Sequence, residues 1–397
     1  MPNPSTIFKS DTTYFPSYLW RRMTIAINAR LLLSSHLEGI GYFIKEVFLR
    51  MANQHAKHQF YFLFDCPYPA DLVFPSNVTP LILSPPARHP LLWKYWFDVK
   101  VPLTLRKIKA DVFVSPDGFA SLTTGIPQCL IVHDLGFLHQ PDAYKRIHTG
   151  FLKHYTPRFV RKAKSIATVS QFSKDDLIEQ YGTDATKIDV VYSAAKTSFP
   201  PISYDEKAAV KAVYTDGREY FIYAGAIQPR KNLINLLKAF SLFKKRQRSN
   251  WKLVLAGRLA WKNGDFLGLL RTYKYKDDVV LTGYIEEAEL ARLVGAAYAL
   301  VYPSLFEGFG VPVLEAMQCR VPVLTSGASS MQEIAGGSAL YFDPADPASI
   351  AEQLMLIYKD EHLRSRLIEK GSGIVTQYSW DRTTQLLWNS IEKAVQG

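Results

Sequence analysis

Two glutamates eight residues apart offer the clearest chemistry in this sequence. Glu307 and Glu315 lie in SLFEGFGVPVLEAM (304–317), which follows a predicted strand and opens a predicted helix. Carboxylates at one strand–helix junction can accept hydrogen bonds from sugar or ribose hydroxyl groups. The alternative is a solvated loop glutamate followed by a glutamate that interacts with the helix dipole. Because Glu307 lies in a loop, we expect it to contact a ligand rather than the core, so that Glu307→Gln stops activity without unfolding the protein.

The glycines of the same loop favour close contact with a ligand. Gly308 and Gly310 lack a Cβ atom, so the backbone can approach a bound molecule closely. The amides from Gly308 through Phe309 to Gly310 precede the helix, and amides at a helix start can bind phosphate or sugar oxygens. We therefore expect this loop to hold part of a ligand.

A pair of cations lies at another predicted strand–helix junction. Arg230 and Lys231 belong to AIQPRKNL (226–233), and Asn232 is the predicted N-cap of the helix that follows. Two cations at a helix N-terminus are typical of a diphosphate site. A basic surface loop is the alternative.

A histidine and two glycines give weaker signals. His133 ends the predicted strand in IVHDLGF (131–137), where a lone histidine is more often structural, and Asp134 beside it is expected to fix the local turn. Gly39 and Gly41 lie between the first predicted strand and its helix, but the third glycine of a GxGxxG motif is missing. Neither motif is specific on its own.

Strand-like and helix-like segments alternate along the chain, which predicts parallel α/β sheets. The alternation breaks at residues 193–206, which contain two consecutive prolines. We predict an N-terminal extension, two doubly wound α/β domains and a final helix that crosses back to the first domain, over residues 1–22, 23–198, 199–377 and 378–397. Two such domains facing each other place a ligand cleft at the carboxyl ends of both sheets.

Two further helix starts carry capping signals. Ser173 is the predicted N-cap of the helix that follows the strand at residues 165–170. Ser330 and Glu333 have the spacing of a capping box. We assign no chemistry to these residues.

Composition restricts the class of protein. The 397 residues are 48% hydrophobic and 21% charged, so the chain can bury a sizeable core. Cys66, Cys129 and Cys319 lack metal-ligand spacing, which argues against a disulfide framework and a zinc site. No apolar run is long enough to span a bilayer, and no signal peptide is predicted. The net charge of +11 predicts an anionic partner, but the sequence contains no nucleic-acid-binding motif.

Six motifs occur in the order in which one enzyme family has them. They are GIGYFI (39–44), IVHDLGF (131–137), VSQFSKDDL (169–177), YAGAIQPRKNL (223–233), LTGYIEEAEL (281–290) and SLFEGFGVPVLEAM (304–317). The sequence from Met23 onward therefore resembles the retaining glycosyltransferases of family 4, and Glu307 and Glu315 look like the E-x7-E motif of that family. The resemblance implies the α/β GT-B fold, with two Rossmann-like doubly wound domains facing a central cleft.

The resemblance also implies roles for individual residues. Arg230 and Lys231 match the family's basic pair, which binds the donor diphosphate. Glu315 matches the residue that meets the ribose, and Glu307 the one that meets the hydroxyl groups of the sugar. His133 matches a histidine that reaches the donor sugar from the first domain.

Three further positions are interpreted from the same resemblance. Gly39 and Gly41 are expected to close the cleft near the donor phosphates and the acceptor. Ala226 stands where many family members carry an arginine, which is a departure from the pattern. Arg230 or Arg258 is expected to take over part of the missing charge.

The resemblance favours a hexosyltransferase of bacterial surface polysaccharide assembly. The expected donor is a nucleotide-diphosphate sugar, GDP-mannose before UDP-sugars, and the expected acceptor is a saccharide or a polyprenyl-diphosphate-linked glycan. No Asp-x-Asp motif occurs, so we predict neither a catalytic metal nor another cofactor. Cationic side chains and helix amides then offset the charge of the leaving diphosphate. A nucleotide-sugar epimerase and a sugar phosphorylase on a similar fold are the alternatives.

A basic stretch and an aromatic cluster suggest peripheral contact with a membrane. The stretch from Lys145 to Lys164 contains no acidic residue, and its cations are Lys145, Arg146, Lys153, Arg158, Arg161, Lys162 and Lys164. Upstream lie Trp93, Trp96 and Phe97, which could insert into a bilayer if their rings are exposed. We therefore expect a cytoplasmic protein, peripheral at the inner face of the cell membrane. The alternative is a solvated helix face beside an aromatic core cluster.

Overall fold

Two parallel β-sheets follow one another along the chain, one of seven strands and one of six. The computed structural model describes residues 21–32, 37 and 39–396, so residues 1–20 of the predicted extension lie outside the described part of the chain. Each sheet carries helices that connect its parallel strands. The predicted fold class, two doubly wound α/β domains, is confirmed.

The first sheet has the strand order β3-β2-β1-β4-β5-β6-β7. Its strands are β1 (Thr24–Asn28), β2 (Gln59–Phe64), β3 (Val78–Ile82), β4 (Val112–Ser115), β5 (Gln128–Val132), β6 (Ser165–Thr168) and β7 (Ile188–Val190). Its helices are α1 (Gly39–Gln54), α2 (Pro90–Tyr95), α3 (Val101–Lys107), α4 (Gly136–His139), α5 (Arg146–Lys162) and α6 (Gln171–Tyr181). A π-helical turn, Trp96–Lys100, joins α2 to α3. Every residue of β4 and β5 is buried, as expected for a parallel sheet covered on both faces.

The second sheet has the strand order β10-β9-β8-β11-β12-β13. Its strands are β8 (Tyr220–Ala224), β9 (Lys252–Ala256), β10 (Val279–Gly283), β11 (Ala299–Tyr302), β12 (Val323–Ser326) and β13 (Ala339–Phe342). The helices that follow along the chain are α7 (Tyr204–Thr215), α8 (Leu233–Gln247), α9 (Gly264–Arg271), α10 (Glu287–Gly295), α11 (Val311–Gln318), α12 (Met331–Ala335), α13 (Pro347–Lys359), α14 (Glu361–Val375) and α15 (Trp380–Gln396). The strand order reverses between β8 and β11, and ligands of open α/β sheets bind at the carboxyl ends of strands at such a point.

The last helix, α15, leaves the second sheet and packs against α1 and strands of the first. The Ser165 hydroxyl of β6 donates a hydrogen bond to the Ser390 carbonyl oxygen at 2.7 Å. The Trp388 ring stacks on His55, the residue after the end of α1, with ring centroids 3.6 Å apart. Helix α15 therefore packs on the first domain.

Three local predictions are wrong. The sequence pattern misses β3, because Pro80 lies within it; proline lacks a backbone N–H and is tolerated in a strand at a sheet edge. Helix α1 begins at Gly39, so Gly39 and Gly41 belong to its first turn rather than to the loop before it. The N-cap of α6 is Ser170, whose hydroxyl accepts a hydrogen bond from the amide of Ser173 at 3.1 Å.

The predicted aromatic contribution to membrane binding is also wrong. Trp96 and Phe97 are buried in the core of the first domain. The Trp93 ring packs edge-on against Phe119 and Phe151, with centroids 5.0 and 5.2 Å away. Within the described residues, no helix is both long enough and apolar enough to cross a bilayer.

Candidate functional site

The loop between β11 and α11 holds Glu307 in a buried ion-paired cluster. Glu307 is only 6% exposed, and its Oε1 accepts hydrogen bonds from the Lys231 ammonium and from the Tyr302 hydroxyl, the latter at 3.2 Å. Its Oε2 lies 3.4 Å from Arg230 Nη1. The loop glutamate is therefore buried against protein cations rather than solvated, and its contact with a ligand stays a prediction.

Arg230 and Lys231 come from the loop between β8 and α8, next to the Glu307 loop because β8 pairs with β11. Arg230 Nη1 also donates to the Phe306 carbonyl oxygen at 3.0 Å, and Lys231 Nζ donates to the Tyr302 hydroxyl at 2.8 Å. Asn232 has a left-handed backbone, with φ of 60°. Asn232 is the N-cap residue of α8, as predicted, but its side chain caps no helix amide and instead donates from Nδ2 to the carbonyl oxygen of Pro303.

The charges in this cluster keep Glu307 ionised. Burial alone raises the pKa of the carboxyl group, but the charges of Arg230 and Lys231 outweigh it and lower the pKa of Glu307 to about 2. A buried carboxylate is stable only when it is paired and hydrogen-bonded, as it is here. The cluster is thus a charged network formed by two loops of one sheet.

Glu315 is also buried, in α11, but its surroundings raise the pKa of its carboxyl group. It is 5% exposed, and its Oε1 is a buried atom with no hydrogen-bond partner among the described residues. Burial raises the pKa of the Glu315 carboxyl to about 7; the charge of Lys196 opposes this rise and that of Glu287 adds to it. An unpartnered buried carboxylate oxygen marks a place that a hydroxyl group of a ligand could occupy.

Lys196 connects the surroundings of Glu315 to the first domain. Its ammonium lies 2.9 Å from Glu287 of α10 and 4.6 Å from the ring centroid of Tyr42, in the first turn of α1. That turn also contains Gly39 and Gly41. A Cβ atom on Gly41 would lie 2.7 Å from the Leu31 carbonyl oxygen, so glycine allows α1 to approach the segment after β1.

The first domain closes directly onto the Glu307 loop. A Cβ atom on Gly308 would lie 2.1 Å from the His133 carbonyl oxygen, so only glycine fits here. The Ser170 hydroxyl donates to the Gly308 carbonyl oxygen at 2.6 Å, and the Ser173 hydroxyl donates to the His133 carbonyl oxygen at 2.9 Å. The close approach at Gly308 is thus to the other domain and not to a ligand, which corrects its predicted role.

Phe309 and Gly310 complete the loop before α11. Gly310 has φ of 100°, and a Cβ atom there would lie 2.4 Å from the Met331 side chain. The Ser330 hydroxyl donates to the carbonyl oxygens of Glu307 and Phe309 at 3.0 and 3.1 Å. The backbone amides of Gly308, Phe309 and Gly310 make no hydrogen bond to any residue that the structure describes. They are free to donate to a ligand.

His133 directly follows β5, and its ring packs edge-on against Phe43 of α1, with centroids 5.2 Å apart. Its Nε2 lies 2.9 Å from the Pro116 carbonyl oxygen, which requires a proton on Nε2. Burial lowers the pKa of His133, although the bond to Pro116 acts in the opposite direction. The ring is therefore neutral near pH 7, with a lone pair on Nδ1. Asp134 accepts a hydrogen bond from the Gly136 amide at 2.8 Å, which confirms its predicted role in the local turn.

Several contacts between the two domains are not predicted by any sequence motif. Glu333 accepts hydrogen bonds from the amides of Gln171 and Phe172, at 2.7 and 2.9 Å, and so caps α6 of the first domain. It forms no capping box with Ser330, contrary to the prediction. Lys262 donates to the Tyr144 carbonyl oxygen at 3.0 Å, also across the domains. Such contacts join residues far apart in sequence, where local patterns carry no information.

The structure thus brings together Arg230, Lys231, Glu307 and Gly308, with His133 against them from the other domain. Arg258 is exposed just after β9, outside the Glu307 cluster. Within the described part of the chain, no group of three or more His, Cys, Asp or Glu side chains could hold a metal ion.

Family models match the two sheets separately. Residues 38–199 match the model described as Glycosyltransferase Family 4, and residues 205–373 match Glycosyl transferases group 1. The two matched ranges follow the first and the second sheet, and together they contain all the site residues.

Known proteins with similar sequences include two mannosyltransferases. The O-antigen chain mannosyltransferase B of Escherichia coli is 30% identical over 253 residues, 64% of this chain and 66% of that protein, slightly less than two thirds of its length. The O-antigen chain mannosyltransferase RfbU of Salmonella typhimurium is 29% identical over 307 residues, 76% of this chain and 79% of that protein. Among solved structures, the sucrose-phosphate synthase of Thermosynechococcus elongatus matches with a TM-score of 0.76 over 93% of this chain and 98% of that one. Its sequence is 17% identical, so the match shows a similar fold.

Proposed function

Because the chain belongs to the group 1 glycosyltransferases, we propose that it is a retaining mannosyltransferase that uses GDP-mannose. Its acceptor is a saccharide, free or linked to polyprenyl diphosphate. One observation carries the proposal: the buried cluster of Arg230, Lys231 and Glu307 lies at the contact between the domains, with unused hydrogen-bond donors. Closure of the domains around a donor excludes water and so limits hydrolysis.

The unused donors suit a diphosphate. In its contacts with described residues, the Arg230 guanidinium uses only Nη1, which leaves the N–H groups of Nε and Nη2. The Lys231 ammonium donates to Tyr302 and Glu307 and keeps one further N–H group. The free amides from Gly308 to Gly310 add donors at the start of α11. Together these groups offset the negative charge of a leaving nucleoside diphosphate.

The two glutamates and the histidine suit the rest of the donor. The free Oε1 of Glu315 can accept a hydrogen bond from a ribose hydroxyl group. Oε2 of Glu307, which lies 3.4 Å from Arg230 Nη1, can accept one from the sugar. The Nδ1 lone pair of His133 can accept another from the first domain. Mannose is favoured over other sugars because the similar proteins are mannosyltransferases. Guanosine is favoured because the family resemblance of the sequence favours GDP-mannose.

A donor screen followed by product analysis tests the proposal. A ligand that binds only the native state raises the melting temperature, so GDP-mannose is expected to give the largest shift in a panel with UDP-glucose, UDP-galactose and GDP. Radiolabelled mannose should then move to an added acceptor with its anomeric configuration unchanged. An epimerase would convert the sugar without an acceptor, and a phosphorylase would require inorganic phosphate; either result would replace the proposal.

A lipid-linked acceptor requires the first domain to approach a membrane, and one surface of that domain supports this. Leu91, Leu103 and Ile147 are 75%, 58% and 56% exposed. Helices α2 and α5 lie side by side, with the Lys94 ammonium 5.2 Å from the Tyr155 ring centroid. All seven cations from Lys145 to Lys164 are exposed, and each is worth about 1 kcal/mol near an anionic surface.

Vesicle co-sedimentation tests this contact. We expect binding to anionic vesicles at low salt, release at high salt, and no binding to neutral vesicles. The triple variant Leu91→Ser, Leu103→Ser, Ile147→Ser should bind more weakly. The matched control is Tyr204→Ser with Val213→Ser, which removes exposed apolar side chains from α7 of the second domain. Equal sedimentation of both variants and the wild type, or equal recovery with neutral and anionic lipid, would contradict the contact.

A further inference from the structure

Phe306 attaches the Glu307 loop to the first domain, and this contact has no part in donor binding as proposed above. Phe306 directly precedes Glu307, and its ring is buried. It stacks on the His139 imidazole at the end of α4, with ring centroids 4.6 Å apart and planes inclined by 16°. Its edge meets Phe172 of α6 at 5.6 Å. A side chain of the donor-binding domain is thus enclosed by two helices of the other domain.

The orientation of the His139 ring is set by a buried carboxylate. His139 Nε2 lies 2.9 Å from both carboxylate oxygens of Asp176 on α6. Asp176 is 5% exposed, whereas a third of the His139 side chain is exposed. Among the described residues, His139 is the only side chain that donates a hydrogen bond to the Asp176 carboxylate. The pair therefore holds one face of the imidazole against Phe306.

We propose that His139 and Asp176 are positioning residues, which hold Phe306 and through it keep the Glu307 carboxylate in place when the domains close. The path from the Phe306 ring to the Glu307 carboxylate is short. The Phe306 carbonyl oxygen accepts a hydrogen bond from Arg230, and the next residue is Glu307 itself. A displacement of the Phe306 ring would therefore move both the acid and one of its cations.

Because these contacts lead directly to Glu307, turnover should be sensitive to the residues that hold Phe306. A misplacement of about 1 Å at a reacting group can lower the rate about 100-fold, even when the altered residue does not touch the substrate. Lys231, Glu315 and the amides of Gly308 to Gly310, which are proposed to hold most of the donor, lie outside this path of contacts, so donor binding should change little. The inference rests on the proposed function, because it assumes that Glu307 acts on the bound donor.

Steady-state kinetics with GDP-mannose test the inference. His139→Ala removes the stacked ring, and Asp176→Ala leaves the ring without its anchor. Each is expected to lower kcat about 10-fold to 100-fold while the Kd for GDP-mannose changes less than twofold. The double variant His139→Phe, Asp176→Leu replaces the pair by apolar groups and keeps an aromatic face against Phe306. It should recover most of the lost kcat.

His55→Ala is the matched control, because it also removes a histidine stacked on an aromatic ring, here Trp388 of α15. It should lower stability without lowering kcat. If His139→Ala does not fold, Asp176→Ala and the double variant still decide the question. A kcat within twofold of the wild type for both single variants, or an equal fall in kcat for His55→Ala, would overturn the inference. An inactive wild type that binds no nucleotide sugar would instead overturn the proposed function.

Discussion

Glu307 and Glu315 lie eight residues apart and are both buried, yet their surroundings shift their pKa values in opposite directions. Glu307 lies against two cations, which lower its pKa to about 2. Among the described residues, Glu315 has no ion pair and its Oε1 has no hydrogen-bond partner, and burial raises its pKa to about 7. Protein cations stabilise the charge of the first carboxylate, whereas no such pair stabilises the charge of the second among the described residues. Burial alone therefore does not set the protonation state of a buried acid; its partners do.

Because their pKa values shift in opposite directions, the two glutamates stabilise the folded protein in different pH ranges. The depressed pKa of Glu307 contributes stability that is present above its unfolded value of about 4.5 and is lost as the pH falls towards 2. The raised pKa of Glu315 acts in the reverse sense, since its contribution is complete below about 4.5 and is lost as the pH rises through 7. The two residues thus limit stability from opposite ends of the pH range.

Glu307→Gln should produce the largest effect. Removing the charge leaves two buried cations without their acid, so we expect transfer to fall at least roughly 100-fold and stability to fall by about 3 kcal/mol. Transfer assays and guanidinium denaturation measure the two effects. Glu361→Gln, which removes an exposed acid paired with Arg364, should change neither. Retained turnover in the Glu307 variant would end its assignment to the site.

Glu315→Gln should have the opposite effect on stability. At pH 8 the variant avoids a buried, unpaired carboxylate, so it should be more stable than the wild type by up to about 3 kcal/mol. At pH 4.5 the wild-type side chain is protonated, and the difference should vanish. Denaturation curves at both pH values check this. Identical differences at pH 4.5 and pH 8 would show that Glu315 does not titrate in between.

Lys231→Ala should weaken donor binding by roughly 1.5–3 kcal/mol, the scale of a charge-assisted hydrogen bond. Isothermal calorimetry with GDP and UDP measures the loss. The matched control is Lys244→Ala, because Lys244 is also a buried lysine of the second domain but pairs with Asp278 at 2.9 Å. An equal loss of affinity in both variants would trace the effect to the fold rather than to the diphosphate.

Much of the architecture was predictable because parallel strands are continuous apolar runs between helical patterns. Glu307, Arg230 and Lys231 were also predictable, since each follows a strand of the second sheet and β8 pairs with β11. The pairing of Glu307 with those cations was not, because a local pattern does not tell a loop on the surface from a loop closed by another domain. For the same reason the roles of Glu333, Gly308 and His139 emerged only with the contact between the two domains.

The most direct test of the account is the proton balance of GDP-mannose binding near pH 6.5. Ribose hydroxyl groups that donate to Glu315 favour its ionised form, so binding should lower its pKa and release protons. Calorimetry in buffers with different ionisation enthalpies measures that release. The wild-type protein should release protons on binding, and Glu315→Gln should release none. Equal proton release by both proteins, or no binding of GDP-mannose to the wild type, would contradict it.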